Sequence, residues 1–339
     1  MMSERVPTHR EELTAGTVAQ YLRDRGIVRG TAHTVELAGG ISNIVLRADA
    51  REGSFVVKQS LEVLRVPQRW EFDRARIFTE HRCIETLGSI LPAGAVPRVV
   101  DYDDAAFAFT MTLAPDGGVV WKAELLDGVV RSEAAAWAGS ALGTVQARSQ
   151  ARLDLRTGFE DTMPLEQGRI EPYHLATARR HPDLVEAIQR DVHRLRTDRR
   201  VLVLGDFSPK NILVYSDHLV LLDFEVAHWG DPAFDPAFLL SHLLLKGVHR
   251  PDAADAMIRA CDTFWAEYRR GGGLASEQDV AAEAAVLLLC RVDGKSPVEY
   301  LTTAERGHVR TAARRLVAAD RTGFAELADV VKTWEKEKQ

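Results

Sequence analysis

The chain has 339 residues, 46% hydrophobic and 27% charged, with a net charge of −6 and a pI near 6.0. That length allows two domains or one two-lobed unit with a sizeable core, and the charge balance argues against a nucleic-acid binder. The longest apolar runs, at 236–245 and 284–290, are too short to span a bilayer, and the charged opening MMSERVPTHREEL has no apolar core to serve as a secretory signal.

In chain order, Thr17 is placed to cap a first helix that ends near Gly26. Strands follow at 34–37 and 44–48 around a Gly39-Gly40 turn, and a third run, 55–57, ends at Lys58. The spacing of Phe72, Ile77, Ile84 and Leu87 predicts a helix over 70–87. A strand pair is expected at 99–102 and 107–113, before Pro115, Gly117 and Gly118 break the pattern. Helices then dominate: 133–148, and 182–195 with Leu184, Ile188, Val192 and Leu195 on one face. Short strands at 201–204, 212–215 and 219–222 interrupt them, and helices resume near 236–245, 251–268, 277–290, 304–319 and 325–336.

This reads as an α+β protein with two lobes: a strand-rich N-lobe over 1–112, and a helical C-lobe over 113–339 with a cleft between them. The arginines 179, 180, 190, 194, 196, 199 and 200 read as a solvated helical face. Cys83, Cys261 and Cys290 lie in apolar helical patterns without metal-type spacing, which suits free thiols in a reducing, cytoplasmic setting.

The chemistry concentrates in the stretch VLVLGDFSPKNILVYSDHLVLLDFEVAHWGDPAFD, residues 201–235. Asp206 opens a loop after a β-run, Asn211 follows five positions on, and Asp223 ends the next apolar run. That order matches the base and metal ligands of kinase-type phosphoryl transfer, which needs positioning and charge neutralisation more than covalent help. Asp206 is the candidate base; Asn211 and Asp223 are oxygen donors suited to Mg²⁺. Glu225 is either a further metal ligand or a salt-bridging carboxylate, and Lys210 is placed to neutralise a transferring phosphate. Upstream, the turn from Gly39 through Gly40, Ser42 and Asn43 would cover a nucleotide, Lys58 would contact its phosphates, and Glu80 would hold Lys58, with Glu71 and Glu85 as rival partners. Asp235 is expected to stabilise the Asp206 loop through backbone hydrogen bonds. Arg291 and Lys295 sit in a polar run after an apolar helix, as an acceptor-site lining or a structural loop.

These residues resemble the aminoglycoside phosphotransferase and choline kinase group of kinase-like enzymes. The pattern Asp223-Phe-Glu225-Val-Ala227-His-Trp-Gly230 followed by Phe234-Asp235 is most similar to 5-methylthioribose kinase. The resemblance covers residues 15 to 240. It implies ATP and Mg²⁺ as cofactors, Lys58 with Glu80 on the phosphates, Asp223 with Glu225 on the metal, and 111–115, with Met111 and Leu113, as the hinge meeting adenine. The chain departs from the family at Leu204, where histidine is usual, and at Asn211, where methylthioribose kinases carry a serine-type residue. The expected activity is ATP-dependent phosphorylation of a hydroxyl on a small, sugar-like molecule. The competing readings are an aminoglycoside phosphotransferase, a catalytically silent nucleotide-binding module and a protein kinase. The small-molecule acceptor is the expected partner, with no nucleic acid or membrane, and the oligomeric state is open between monomer and homodimer.

Overall fold

β-branched and aromatic residues dominate the first third of the chain, and there the protein builds a sheet. The computed structural model describes residues 12–37, 42–65, 70–319 and 322–338. Helix α1 (Val18–Asp24) precedes strands β1 (His33–Glu36), β2 (Asn43–Ala50), β3 (Gly53–Ser60), β4 (Val99–Asp103) and β5 (Ala108–Thr112). They form one antiparallel sheet in the order β1-β2-β3-β5-β4. Thr17 occupies the N-cap of α1 without a side-chain cap bond; its hydroxyl instead accepts from the Thr14 N–H at 2.9 Å. β3 runs two residues beyond Lys58, so this lysine lies inside the sheet and opposite Phe109, not at a strand end.

Helix α2 (Arg76–Ile90) packs on the sheet through Ile77, Ile84 and Leu87. It begins six residues later than the periodicity of Phe72 suggests. Residues 70–75 are irregular because the Asp73 carboxylate accepts from the Ala75 N–H (2.9 Å), an Asx-type turn. Phe72 joins Leu64 and Val226 in a separate small cluster.

The rest is helical. α3 (Trp121–Leu126), α4 (Ser132–Gln150), α5 (Val185–Thr197), α6 (Phe234–His249), α7 (Ala254–Arg270), α8 (Glu277–Asp293), α9 (Thr303–Ala318) and α10 (Phe324–Lys338) surround the main core. Every residue of α6 from Phe234 to Val248 is buried, which makes it the axis of this half; each large apolar side chain there contributes about 1.5–3 kcal/mol. α4 crosses α7 at backbone contact, since a Cβ on Gly139 would stand 2.3 Å from the Phe264 carbonyl oxygen. Among the described residues, no helix is long and apolar enough to cross a membrane.

Two small antiparallel units sit on the helices and carry the loops of interest. β7 (Val201–Val203) pairs with β10 (His228–Gly230), and β8 (Ile212–Val214) pairs with β6 (Val119–Val120) and β9 (Leu219–Leu221). The arginines read as a solvated face divide: 179, 180, 190, 196 and 200 are exposed, whereas Arg194 and Arg199 are half-buried. Arg194 turns inward to Asp191, Asp231 and Glu283, partners that a helical charge pattern cannot reveal.

Candidate active site

Lys58 rises from β3 into the junction of the two halves. Its Nζ lies 2.6 and 2.8 Å from the carboxylate oxygens of Glu80 on α2, and 3.0 Å from Asp223 Oδ1. Burial alone would strip the charge from Lys58; Asp223 and Glu80 outweigh it and raise its pKa above the ordinary value. The rival carboxylates are elsewhere: Glu85 lies near His81 at 3.9 Å, and Glu71 sits in an isolated bridge with Val63.

Asp223 follows β9 with a φ of 65°, a left-handed conformation that aspartate tolerates better than most residues. Burial pushes its carboxyl up, but Lys58 and Lys210 pull it below the ordinary range. Two residues on, Glu225 Oε2 accepts from Asn43 Nδ2 (2.8 Å) and Arg76 Nε (3.1 Å). Arg76, to which the sequence reading gives no role, is fully buried and also binds the Ser42 and Leu61 carbonyls. Glu225 thus joins the Ser42–Asn43 loop, α2 and the Asp223 loop. The carboxylate oxygens of Glu80, Asp223 and Glu225 come within 4.8 Å of one another, a grouping able to hold a cation. Gly39 and Gly40 lie outside the described residues.

The Asp206 loop is fixed from behind. Asp235, at the start of α6, accepts from the Leu204 N–H at 2.6 Å and the Gly205 N–H at 2.8 Å, the backbone role its sequence position suggests. Burial pushes its carboxyl up to about 7 against those two donors. Gly205 has a φ of +76°, and an added Cβ would meet the Val226 carbonyl oxygen at 2.5 Å, so only glycine fits. Leu204, where the resemblance leads one to expect histidine, is buried in the core, and its N–H holds the loop to Asp235.

Asp206 itself is buried, with Oδ2 3.1 Å from Arg169 Nη2 and 2.9 Å from Lys210 Nζ. Burial works to raise its pKa, but Lys210 and then Arg169 bring it down to about 2, so it is ionised at neutral pH. Asn211 Nδ2 donates to the Asp206 carbonyl at 3.0 Å, which leaves the amide oxygen as the group outside that bond. Lys210 acts on Asp206 and Asp223 together.

Arg169 was missed by sequence reading. It lies in a wide-turned π-helix, Glu166–Leu175, with Pro172 inside it, where α-helical periodicity gives no signal. Its Nε donates to the Gly205 carbonyl at 2.7 Å, and the guanidinium packs over Tyr173 and Phe238. Tyr173 in turn accepts from Arg291 Nη1 at 2.9 Å, which brings Arg291 beside the Asp206 group. Lys295 is different: its Nζ lies 3.5 Å from the partly exposed Glu171, so the structure does not bring it to Asp206. Met111 is buried in the core opposite Val56, and the half-buried Leu113 donates its N–H to the Ser54 carbonyl at 3.0 Å.

A strand-built half and a helical half meeting at a lysine–carboxylate centre define a protein-kinase-like fold, and solved structures agree. A putative aminoglycoside phosphotransferase from Ralstonia eutropha aligns with a TM-score of 0.55 at 13% identity, covering 95% of each chain. Amicoumacin kinase, solved with AMP-PNP, Ca²⁺ and Ami, gives 0.54 at 15% identity over 87% of this chain and 91% of that one. A choline kinase from Streptococcus pneumoniae gives 0.50 at 12% identity over 95% and 98%. Among curated proteins no significant sequence match is found. The profile of the phosphotransferase enzyme family matches residues 33–272. The chain belongs to that family, and it is an enzyme that transfers phosphate.

Proposed function

We propose that the protein is a kinase that moves the γ-phosphate of ATP to a hydroxyl of a small, sugar-like molecule in the cytoplasm. The observation that carries this reading is Asp206: a carboxylate kept ionised by Arg169 and Lys210, on a loop pinned by Asp235, within electrostatic reach of Asp223.

The residues present fit a divalent cation such as Mg²⁺. Asp223, the Asn211 amide oxygen and the second oxygen of Glu225 are hard donors of the kind that cation takes. When bound, it would neutralise phosphate charge. Lys58, held charged by Glu80, would contact the nucleotide phosphates, Ser42 and Asn43 would border them, and the 111–115 segment with Met111 and Leu113 would meet adenine.

In the transfer, the acceptor oxygen forms a bond to the γ-phosphorus as the bridging bond to the β-phosphate breaks. ADP leaves with that electron pair, and the hydroxyl proton departs by way of Asp206. A carboxylate with a pKa near 2 is a weak base, so Asp206 works mainly by orienting the hydroxyl, which suits a loose transition state. Lys210 stands where charge develops.

A silent nucleotide-binding module is the weaker reading, because Leu204 keeps the loop geometry through its backbone. The test is Asp206→Asn: turnover is expected to fall by about 10²–10⁴ with the ATP affinity retained. Wild-type turnover would remove Asp206 from the mechanism. The identity of the sugar-like acceptor, methylthioribose included, is a matter for an acceptor screen.

A further inference from the structure

Beyond Arg169 lies a second set of cations that phosphate transfer from ATP does not use. Arg169 and Arg291 share one aromatic ring, their guanidinium carbons lying 5.3 and 5.5 Å from the Tyr173 centroid. Arg291 therefore stands close to the Asp206 group. Its Nη1 donates to the Tyr173 hydroxyl (2.9 Å), Ser296 Oγ (3.1 Å) and the Ser296 carbonyl, all neutral oxygens. Among the described residues no carboxylate pairs with it; Nε is buried without a partner, and its hydrogen bonds all leave from Nη1. That Nε–Nη2 edge is the fork that takes an oxyanion side-on. Arg25 uses the same edge on Asp101, at 2.6 and 2.8 Å.

Lys246 on α6 repeats the theme. It is 1% exposed, and among the described residues its Nζ reaches the His242 carbonyl (3.3 Å) and the Tyr300 ring (5.3 Å) and no carboxylate. The Tyr300 hydroxyl is buried and unpartnered. Glu299, the acid that acts on Lys246, is bound to Lys122. Burial, together with Lys122 and Arg291, lowers the Lys246 pKa to about 7, the mark of a cation the protein's own carboxylates do not balance. Burying cations and donors unmatched is costly, and each open group here can donate a hydrogen bond.

We infer that the acceptor carries an oxyanion, a carboxylate or a phosphate, besides the hydroxyl to be phosphorylated, and that Arg291 grips it side-on with Lys246 and Tyr300 behind. This rests on the phosphotransferase reading above and narrows it to sugar acids, hydroxy acids or sugar phosphates.

The experiment measures ADP release by the full chain with ATP and Mg²⁺. The acceptors are gluconate and glycerate, glucose 6-phosphate and glycerol 3-phosphate, neutral glucose and methylthioribose, and cationic choline and kanamycin. An anionic acceptor is expected to lead in kcat/KM by about tenfold or more, and the carboxylate and phosphate arms tell the two oxyanions apart. Arg291→Gln should raise KM for that acceptor by about 10–100-fold with a small change in kcat, the loss of a charge-assisted contact; Arg291→Lys, which keeps charge but not the fork, should recover part. Preference for a neutral or cationic acceptor, or an unchanged KM in Arg291→Gln, overturns the inference and leaves the kinase reading standing. If no ADP is released with any acceptor or with water, the kinase reading falls, and thermal-shift titration with phosphate and gluconate decides the anion site alone. A shift in wild type that Arg291→Gln lacks supports it; no shift overturns it.

Discussion

Among the described residues lie two triads of metal-competent side chains, and they have opposite characters. His174, Asp191 and Glu283 are sealed inside the helical half, all buried. Burial and Asp191 push Glu283 up to about 8, while Glu283 and Asp191 raise His174 well above its ordinary value against burial. Arg194 joins the group from α5 and reaches Asp231 as well. His174 and Arg194 thus supply built-in counter-charge to the carboxylates of Asp191, Asp231 and Glu283. Glu80, Asp223 and Glu225 differ. Glu80 is matched by Lys58 and Glu225 by Arg76, while the Asp223 side chain, 26% exposed, shares Lys58 and faces the junction. Similar donors make a structural knot where the counter-charges are built in, and a candidate working site where one carboxylate is left open to solvent.

Breaking the sealed knot should show in stability. His174→Ala strands buried carboxylates and is expected to cost about 3–5 kcal/mol in urea unfolding, with turnover per folded molecule unchanged. A comparable loss of turnover would mean that the knot belongs to the active site after all. Asp223→Asn, which keeps the left-handed backbone acceptable, should do the reverse: kcat/KM lower by about 10²–10³ and an unfolding midpoint close to wild type. Chelation of divalent cations should abolish transfer in the same way. Gly205→Ala probes the scaffold between the triads; we expect about 1–2 kcal/mol of backbone strain and, from a displaced Asp206, about 10² in turnover.

The finest contrast is in pH. The Glu283 carboxyl has a folded value of about 8 against an ordinary 4.5. Its contribution is fully present below 4.5 and is lost as pH rises towards 8. Glu283→Gln lacks that loss, so its stability relative to wild type should climb over this window by at most about 1.4 kcal/mol per pH unit. Parallel pH profiles for the two proteins would show that Glu283 is ionised in the fold.

How far the sequence revealed these regions follows from the reach of each interaction. Asp206, Asn211 and Asp223 stand out as candidates because their spacing is set by short strands within one stretch of chain. The strand and helix order was legible for the same local reason. The pairing of Lys58 with Glu80 spans two elements, and the choice of Glu80 over Glu71 and Glu85 rested chiefly on family resemblance. Arg169 and Tyr173 were hidden by a π-helix around Pro172, Arg76 by its burial, and the inward turn of Arg194 by partners on other helices. Lys295 looked equivalent to Arg291 in a polar run, yet only Arg291 lies on the face that meets Tyr173.

The bonds of Lys58 to Asp223, and of Asn43 and Arg76 to Glu225, run from the sheet half to the helical half. The two halves are therefore tied by the same charges that, on the proposed function, a nucleotide and its cation would claim. On that reading, a nucleotide and its cation would bind in exchange for these links and not in addition to them. Small-angle scattering should then find the empty form no wider than the loaded one; a wider empty form would show that the links do not hold in solution.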